Sequence, residues 1–241
     1  KERNILMSLP KGKFYGIGVG PGDPELLTLK GRRLLEEADC IAAPKTHGEA
    51  GSTALRIVEQ FIAGKPLLEL VLPMTHDKRQ LEQAWADSAK AVMERLDAGQ
   101  NVAFITLGDA SLFSTLMYIF RPIKAAGYAW ELVPGINAPS AAAARLGIGL
   151  ADGKEDLAIL AATADLAKVE STIASHSNTV LMKGAAKWPA IAEILERQGV
   201  LAKTAAVERC TMENERVFTD VSQMPEDLSY FLTAIIRKGM E

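Results

Sequence analysis

The sequence predicts a protein of two α/β domains, and three observations carry that prediction. Short apolar runs alternate with helical-period stretches through the first half; strand-like runs crowd together in the second half; glycine-rich loops recur where apolar runs end. Repeated βα units imply a mostly parallel five-stranded N-terminal sheet covered on both faces, and the tighter spacing beyond implies a mixed C-terminal sheet. The expected division is a tail over 1–11, an N-terminal domain over 12–136 and a C-terminal domain over 137–241, with a ligand cleft between the two domains.

The elements follow in order. Phe14 to Val19 reads as a short buried strand, and the loop Gly18-Val19-Gly20-Pro21-Gly22 leaves its carboxyl end. Asp23, Pro24 and Glu25 are start signals for a helix through Ala38. Strands are expected at 40–44, 67–72, 102–107 and 130–133. Between them, Ala54, Val58, Phe61 and Ile62 share one helical face, as do Leu81, Trp85, Val92 and Leu96. Gly64, Gly99 and Gly127 stand where helix ends are expected. The loop from Leu107 to Thr115 again follows a strand and opens a helix, with Asp109 or Ser111 placed to cap it. The loop from Val133 to Ser140 follows the fifth strand and leads into an alanine-rich helix over 141–144. Beyond it, strands are expected at 157–161, 179–182, 204–208, 216–219 and 233–237, with helices over 166–174 and 188–198 and a hairpin between 204 and 219.

Composition excludes several classes. A net charge of −3 with 24% charged residues offers no clustered basic surface, so a nucleic-acid partner is not expected, although local basic groups can still serve a small anion. No apolar run approaches the ~18–20 residues of a membrane span, and 1–12 lacks the apolar core of a signal peptide, so a cytoplasmic protein with no membrane partner is expected. Cys40 and Cys210 read as buried free thiols. His47, His76 and His176 have no metal-ligand spacing, and no metal site is expected from this chain.

The nucleotide motifs fail by spacing. The Gly-Lys pairs at 12/13, 64/65 and 153/154 lack both the upstream glycine and the following Ser or Thr of a Walker loop. Counted from Gly16 or Gly18, the third glycine of a dinucleotide fingerprint falls on Pro21 or Asp23. What remains is three small-residue loops at carboxyl ends of strands, which is where open α/β sheets hold ligands.

Gly18-Val19-Gly20-Pro21-Gly22-Asp23-Pro24-Glu25-Leu26-Leu27-Thr28-Leu29-Lys30, then Leu107-Gly108-Asp109, then Val133-Pro134-Gly135-Ile136 resemble, in this order and separation, the tetrapyrrole methylases. These are S-adenosylmethionine (SAM)-dependent enzymes of cobalamin and sirohaem synthesis. Within the family, GDASLFSTLMYIF over 108–120 and PSAAAARLGIGL over 139–150 most resemble the branch that methylates C20 of precorrin-2 or cobalt-factor II. The chain departs from the family pattern at Ala110, where proline is usual, and at Asn137, where Ser or Thr is common.

The resemblance implies SAM as methyl donor, a reduced tetrapyrrole substrate and a homodimer. It implies Leu107, Gly108, Asp109 and Leu112 around the methionine part of SAM, Asn137 and Ala138 nearby, and Met182 against the adenosine. Pro21 and Asp23 are to line the site where donor and tetrapyrrole meet. The acetate and propionate arms of such a substrate call for cations, and Lys183, Lys45, Arg121 and Arg209 are the candidates. Asp109 and Lys183 are the expected catalytic pair; orienting the substrate and stabilising charge both stay open for Asp109. A β-branched residue at 108 is expected to block the donor and spare the fold. The alternatives are a family member acting at another tetrapyrrole carbon or on the diphthamide precursor, and a SAM-binding module without chemistry.

Overall fold

The computed structural model describes residues 10–45, 52–73, 75, 77–163 and 165–239, so His47 and His76 lie outside the described residues. Contacts divide the chain into two units, Lys1–Ile136 and Asn137–Glu241.

The first unit runs β1 (Phe14–Gly18), α1 (Leu29–Glu37), β2 (Cys40–Lys45), α2 (Thr53–Val58), β3 (Leu67–Val71), α3 (Lys78–Asp97), β4 (Val102–Thr106), α4 (Leu116–Ala125) and β5 (Trp130–Val133). Its sheet has the order β3-β2-β4-β1-β5 with every pairing parallel. All five residues of the central strand β4 are buried. They alternate between two apolar layers, as a sheet covered on both faces requires. Val102 and Phe104 join Phe14, Leu96 and Ile119 on the side of α3 and α4. Ala103 and Ile105 join Ile17, Leu35, Ile41 and Ile57 on the side of α1 and α2.

This order positions the site. The chain leaving β1 crosses to β2 over one face, whereas the chain leaving β4 crosses to β5 over the other, so the crossovers diverge between the adjacent strands β1 and β4. A crevice opens at the carboxyl ends of strands where crossovers diverge. The loops after β1 and β4 occupy it.

One expected helix start is displaced. Asp23 caps only a single 3-10 turn, Pro24–Leu26, and Leu27 and Thr28 return to extended backbone. The helix proper starts at Leu29, capped by the Thr28 hydroxyl accepting from the Gly31 N–H at 3.0 Å. Two caps five residues apart compete for one helix start, and the second lies directly before the residues that bury Leu34 and Leu35.

The second unit runs α5 (Ala138–Leu146), β6 (Leu157–Ala161), α6 (Leu166–Ser175), β7 (Asn178–Met182), α7 (Trp188–Arg197), β8 (Thr204–Glu208), β9 (Arg216–Phe218) and β10 (Leu232–Arg237). Its sheet has the order β6-β7-β10-β8-β9 and is mixed. The β6–β7 pair is parallel, β10 runs antiparallel to both β7 and β8, and β8–β9 is the expected hairpin. Ile173, Leu181, Ile191, Leu195 and Ile236 centre its core. No described helix is long and apolar enough to cross a membrane. No group of three or more His, Cys, Asp or Glu suited to a metal ion occurs among the described residues.

Candidate functional site

Backbone holds the three loops of the first unit together. Val19 donates its N–H to the Thr106 carbonyl at 2.9 Å, and Gly20 and Gly108 exchange N–H to C=O bonds at 3.1 and 2.7 Å. The result is an isolated antiparallel bridge between loops that leave parallel strands. Gly20 and Gly108 make this turn at φ values of 85° and 70°, a region that side chains disfavour. The loop after β5 closes on the same point. A Cβ on Gly135 would lie 2.2 Å from the Gly108 oxygen, and a Cβ on Gly18 would lie 2.7 Å from both the Gly108 oxygen and the Gly135 nitrogen. Glycine at 18 and 135 is thus required by contact of the loops with one another.

Asp109 ties the junction. One carboxylate oxygen accepts from the Ser111 N–H at 2.8 Å and the Ser111 hydroxyl at 2.5 Å, and the other accepts from the Gly135 N–H at 2.9 Å. Burial pushes its pKa up, but the hydrogen bonds from Ser111, Gly135 and Ala110 outweigh that and hold it below the usual carboxylate value. The helix-capping role expected of Asp109 or Ser111 is corrected here, since α4 begins at Leu116 after a Thr115 whose side chain makes no capping bond. The Ser114 hydroxyl, bonded to that of Thr106 at 2.9 Å, accepts the Leu116 N–H at 3.2 Å. Gly108→Val is no clean steric block, because a β-branched residue at φ 70° would strain the junction before any ligand arrives.

The other expected site residues fall into groups. Pro21 is buried in the first loop, and the Asp23 carboxylate accepts from the Glu25 N–H at 2.8 Å. Leu107, Gly108 and Leu112 are half-buried in the second. Asn137 caps α5 by accepting from the Ser140 N–H at 2.8 Å, and Ala138 is the first helical residue. Met182 ends β7, and Lys183 and Arg209 directly follow β7 and β8 on one edge of the second sheet. Lys45 ends β2 in the first unit, exposed and paired with Glu69 at 2.8 Å. Arg121 stands apart, midway along α4, with its guanidinium 5.7 Å from the ring centre of Tyr118, which stacks on Trp85. Sequence reasoning missed Ser111 as the partner of Asp109, the Gly135 N–H as its second donor, and Tyr230 beside Lys183.

The profile of the Tetrapyrrole (Corrin/Porphyrin) Methylases matches residues 13–225. The chain belongs to the tetrapyrrole methylases. Among similar methylases, the cobalt-precorrin-2 C(20)-methyltransferase of Salmonella typhimurium LT2 is 32% identical over 233 residues, covering 95% of this chain and 98% of the relative. The probable cobalt-precorrin-2 C(20)-methyltransferase of Methanocaldococcus jannaschii is 34% identical over 229 residues, covering 94% and 96%. Among solved methylase structures, the uroporphyrin-III C-methyltransferase of Thermus thermophilus, complexed with S-adenosylhomocysteine, aligns with a TM-score of 0.65 at 23% identity, covering 94% of this chain and 98% of that one. That likeness agrees with the two sheets described above and speaks to fold alone.

Proposed function

We propose that this chain transfers one methyl group from SAM to C20 of precorrin-2 or of its cobalt-bearing counterpart, cobalt-factor II, a step of cobalamin biosynthesis. The observation that carries the reading is the near full-length similarity to a named C20-methyltransferase, 32% identical over 95% of the chain. The residues fit such a donor by their chemistry. The junction offers backbone and half-buried Leu107 and Leu112, while the Asp109 carboxylate is engaged by Ser111 and Gly135. That is a surface for a thin, partly apolar ligand read by backbone groups.

SAM would supply a methyl group already activated on sulfur. What the chain must add is alignment and exclusion of water, which in the best intramolecular comparisons supplies roughly 7–11 kcal/mol, more than the 10²–10⁴-fold typical of one acid or base. Leu107, Gly108 and Leu112 hold the methionine part of the donor. Asp109 keeps their loop in shape and is a positioning residue. Asn137 and Ala138 fix the start of α5 nearby in the sequence, and Met182 packs against the adenosine. Pro21 and Asp23 face the tetrapyrrole, and Lys45, at the end of β2, is the first-unit cation assigned to its carboxylates, whereas Arg121 lies apart on α4.

The reading includes a homodimer working in the cytoplasm. Sedimentation tests the dimer. The reaction is tested by incubating the protein with SAM and, separately, metal-free precorrin-2 and cobalt-factor II, then assigning the product by mass and NMR. One added methyl at C20 is expected. A methyl at any other carbon would move the chain to another branch of the family, and SAM binding without turnover of either substrate would make it a non-catalytic module.

A further inference from the structure

We infer that the hydroxyls of Thr106 and Ser114 form a latch that closes the loop after β4 and holds Phe113 in left-handed backbone, which makes both of them positioning residues for the donor. That the loop carries a donor rests on the function proposed above; the latch itself does not.

Thr106 is the fixed half of the latch. It ends the central strand β4, lies opposite Gly18 of β1, and accepts the Val19 N–H on its carbonyl at 2.9 Å. The residue is 8% exposed, and its hydroxyl meets that of Ser114 at 2.9 Å, with either one able to donate. Ser114 stands eight residues further along the chain. The same Ser114 oxygen accepts the Leu116 N–H at 3.2 Å, at the first residue of α4. One side chain therefore joins the end of the loop both to the sheet and to the helix that follows. A partly buried bond of this kind is stronger than its exposed counterpart, and either hydroxyl left alone there would be costly.

Between Thr106 and Ser114 the chain reverses. Gly108 turns at φ 70° at the near end and Phe113 at φ 49° at the far end. Glycine takes such a turn at little cost, whereas an aromatic residue is strained in it. The Phe113 side of the turn is 42% exposed, so burial offsets only part of that strain. The near end and the middle of the loop have their own fastenings, since Gly108 exchanges bonds with Gly20 and Asp109 accepts from Ser111. The far end is fastened through Ser114. The strain of one left-handed residue and the net worth of one neutral hydrogen bond are of similar size, so the closed shape of the far end depends on the latch.

The consequence for the donor runs through Leu112, half-buried and placed directly between Ser111 and Phe113. If Phe113 relaxes to ordinary backbone, Leu112 is carried with it. Only the fraction of molecules that keep the closed loop then binds the donor well, and apparent affinity falls by that fraction.

Amide exchange in the ligand-free protein and calorimetry with S-adenosylhomocysteine, both below the Tm of each variant, test the latch without turnover. Thr106→Val and Ser114→Ala should each speed exchange at Ser111, whose N–H bonds to Asp109 and not to the latch, and should weaken S-adenosylhomocysteine binding about three- to tenfold, within the range of one neutral hydrogen bond. Thr106→Ser should recover most of the affinity lost in Thr106→Val. Because the two hydroxyls share one bond, Thr106→Val should cost nothing further in the Ser114→Ala background. In that same background Phe113→Gly should recover more affinity than Phe113→Ala, since both remove the ring and only glycine takes φ 49° freely. Faster exchange confined to Leu116, an equal loss from Thr106→Val in both backgrounds, or equal recovery by glycine and alanine at 113 overturns the latch. The expected exchange pattern in a protein whose wild type binds no S-adenosylhomocysteine leaves the latch standing and removes the proposed reaction.

Discussion

Gly135→Ala places one methyl group at the point where the three loops of the first unit meet. Its Cβ would stand 2.2 Å from the Gly108 oxygen and 2.7 Å from the Gly18 carbonyl carbon and oxygen. All of these are backbone atoms, so no rotamer change relieves the overlap, and the loops must part by roughly an ångström to restore ordinary contact. Overpacking of this kind costs about 1–3 kcal/mol. Parting the loops also stretches the bond from the Gly135 N–H to Asp109, and a hydrogen bond to a charged group is worth about 1.5–3 kcal/mol. Together the expected loss is about 2.5–6 kcal/mol. At about 2–4 °C per kcal/mol for a chain of this size, Tm should fall by about 5–24 °C. S-adenosylhomocysteine affinity, read by calorimetry below the new Tm, should fall with it, because Gly108 moves. Gly127→Ala is the control. It carries a positive φ, 80°, which Gly135 does not, but nothing lies within 4 Å of its added Cβ, so it should cost only about 1–2 kcal/mol and leave the affinity alone. A Gly135→Ala protein with wild-type Tm and wild-type affinity would refute the loop junction itself.

Two further outcomes follow from the same region. Asp109→Asn should lower stability at pH 7 by about 1.5–3 kcal/mol, because one oxygen that accepts from Ser111 or Gly135 becomes a donor facing a donor. The folded pKa of Asp109 is depressed, so its contribution is complete above the unfolded value of ~3.9 and is lost as pH falls through the lower folded value; urea titrations at pH 7 and pH 3 should show a smaller acid-induced loss in the variant, and an equal loss would remove the clamp role. Thr28→Ala should cost about 1 kcal/mol by uncapping α1, whereas Asp23→Ala should leave α1 helicity unchanged, and amide exchange at Gly31 that responds to Asp23 in place of Thr28 would reverse the assignment of the cap.

Strand and helix positions were legible because burial writes a period into the sequence. The Val102 to Thr106 run is buried throughout, and Leu81, Trp85, Val92 and Leu96 do share α3. A cap, by contrast, is a local preference, and Asp23 satisfies it with a single turn while Thr28 starts the helix. The loops were legible as a site and not as a structure. Sequence cannot distinguish a glycine that makes room for a ligand from one that makes room for another glycine far along the chain, and at 18 and 135 the neighbour is backbone. The partners of Asp109 include a backbone N–H, which carries no residue-type signal. Left-handed backbone at Lys183 and Arg209 was equally hidden, since residue identity argues against it.

These differences separate two kinds of functional residue. Gly18, Gly108, Asp109 and Gly135 hold the unit together and shape the loop proposed to hold the donor, so affinity and stability should fall together under mutation. At Lys183 and Arg209, the second-unit candidates for the substrate carboxylates, the backbone is strained, and the bonds that fasten the edge run through Glu208, Ser229 and the β10 carbonyls, so stability and affinity should move in opposite directions on substitution by glycine. Plotting Tm against ligand affinity across both sets of variants therefore discriminates a loop that is shaped by its own packing from an edge that is shaped for what it binds. A common positive slope for both sets would mean that the two cations, like the glycines, serve the fold.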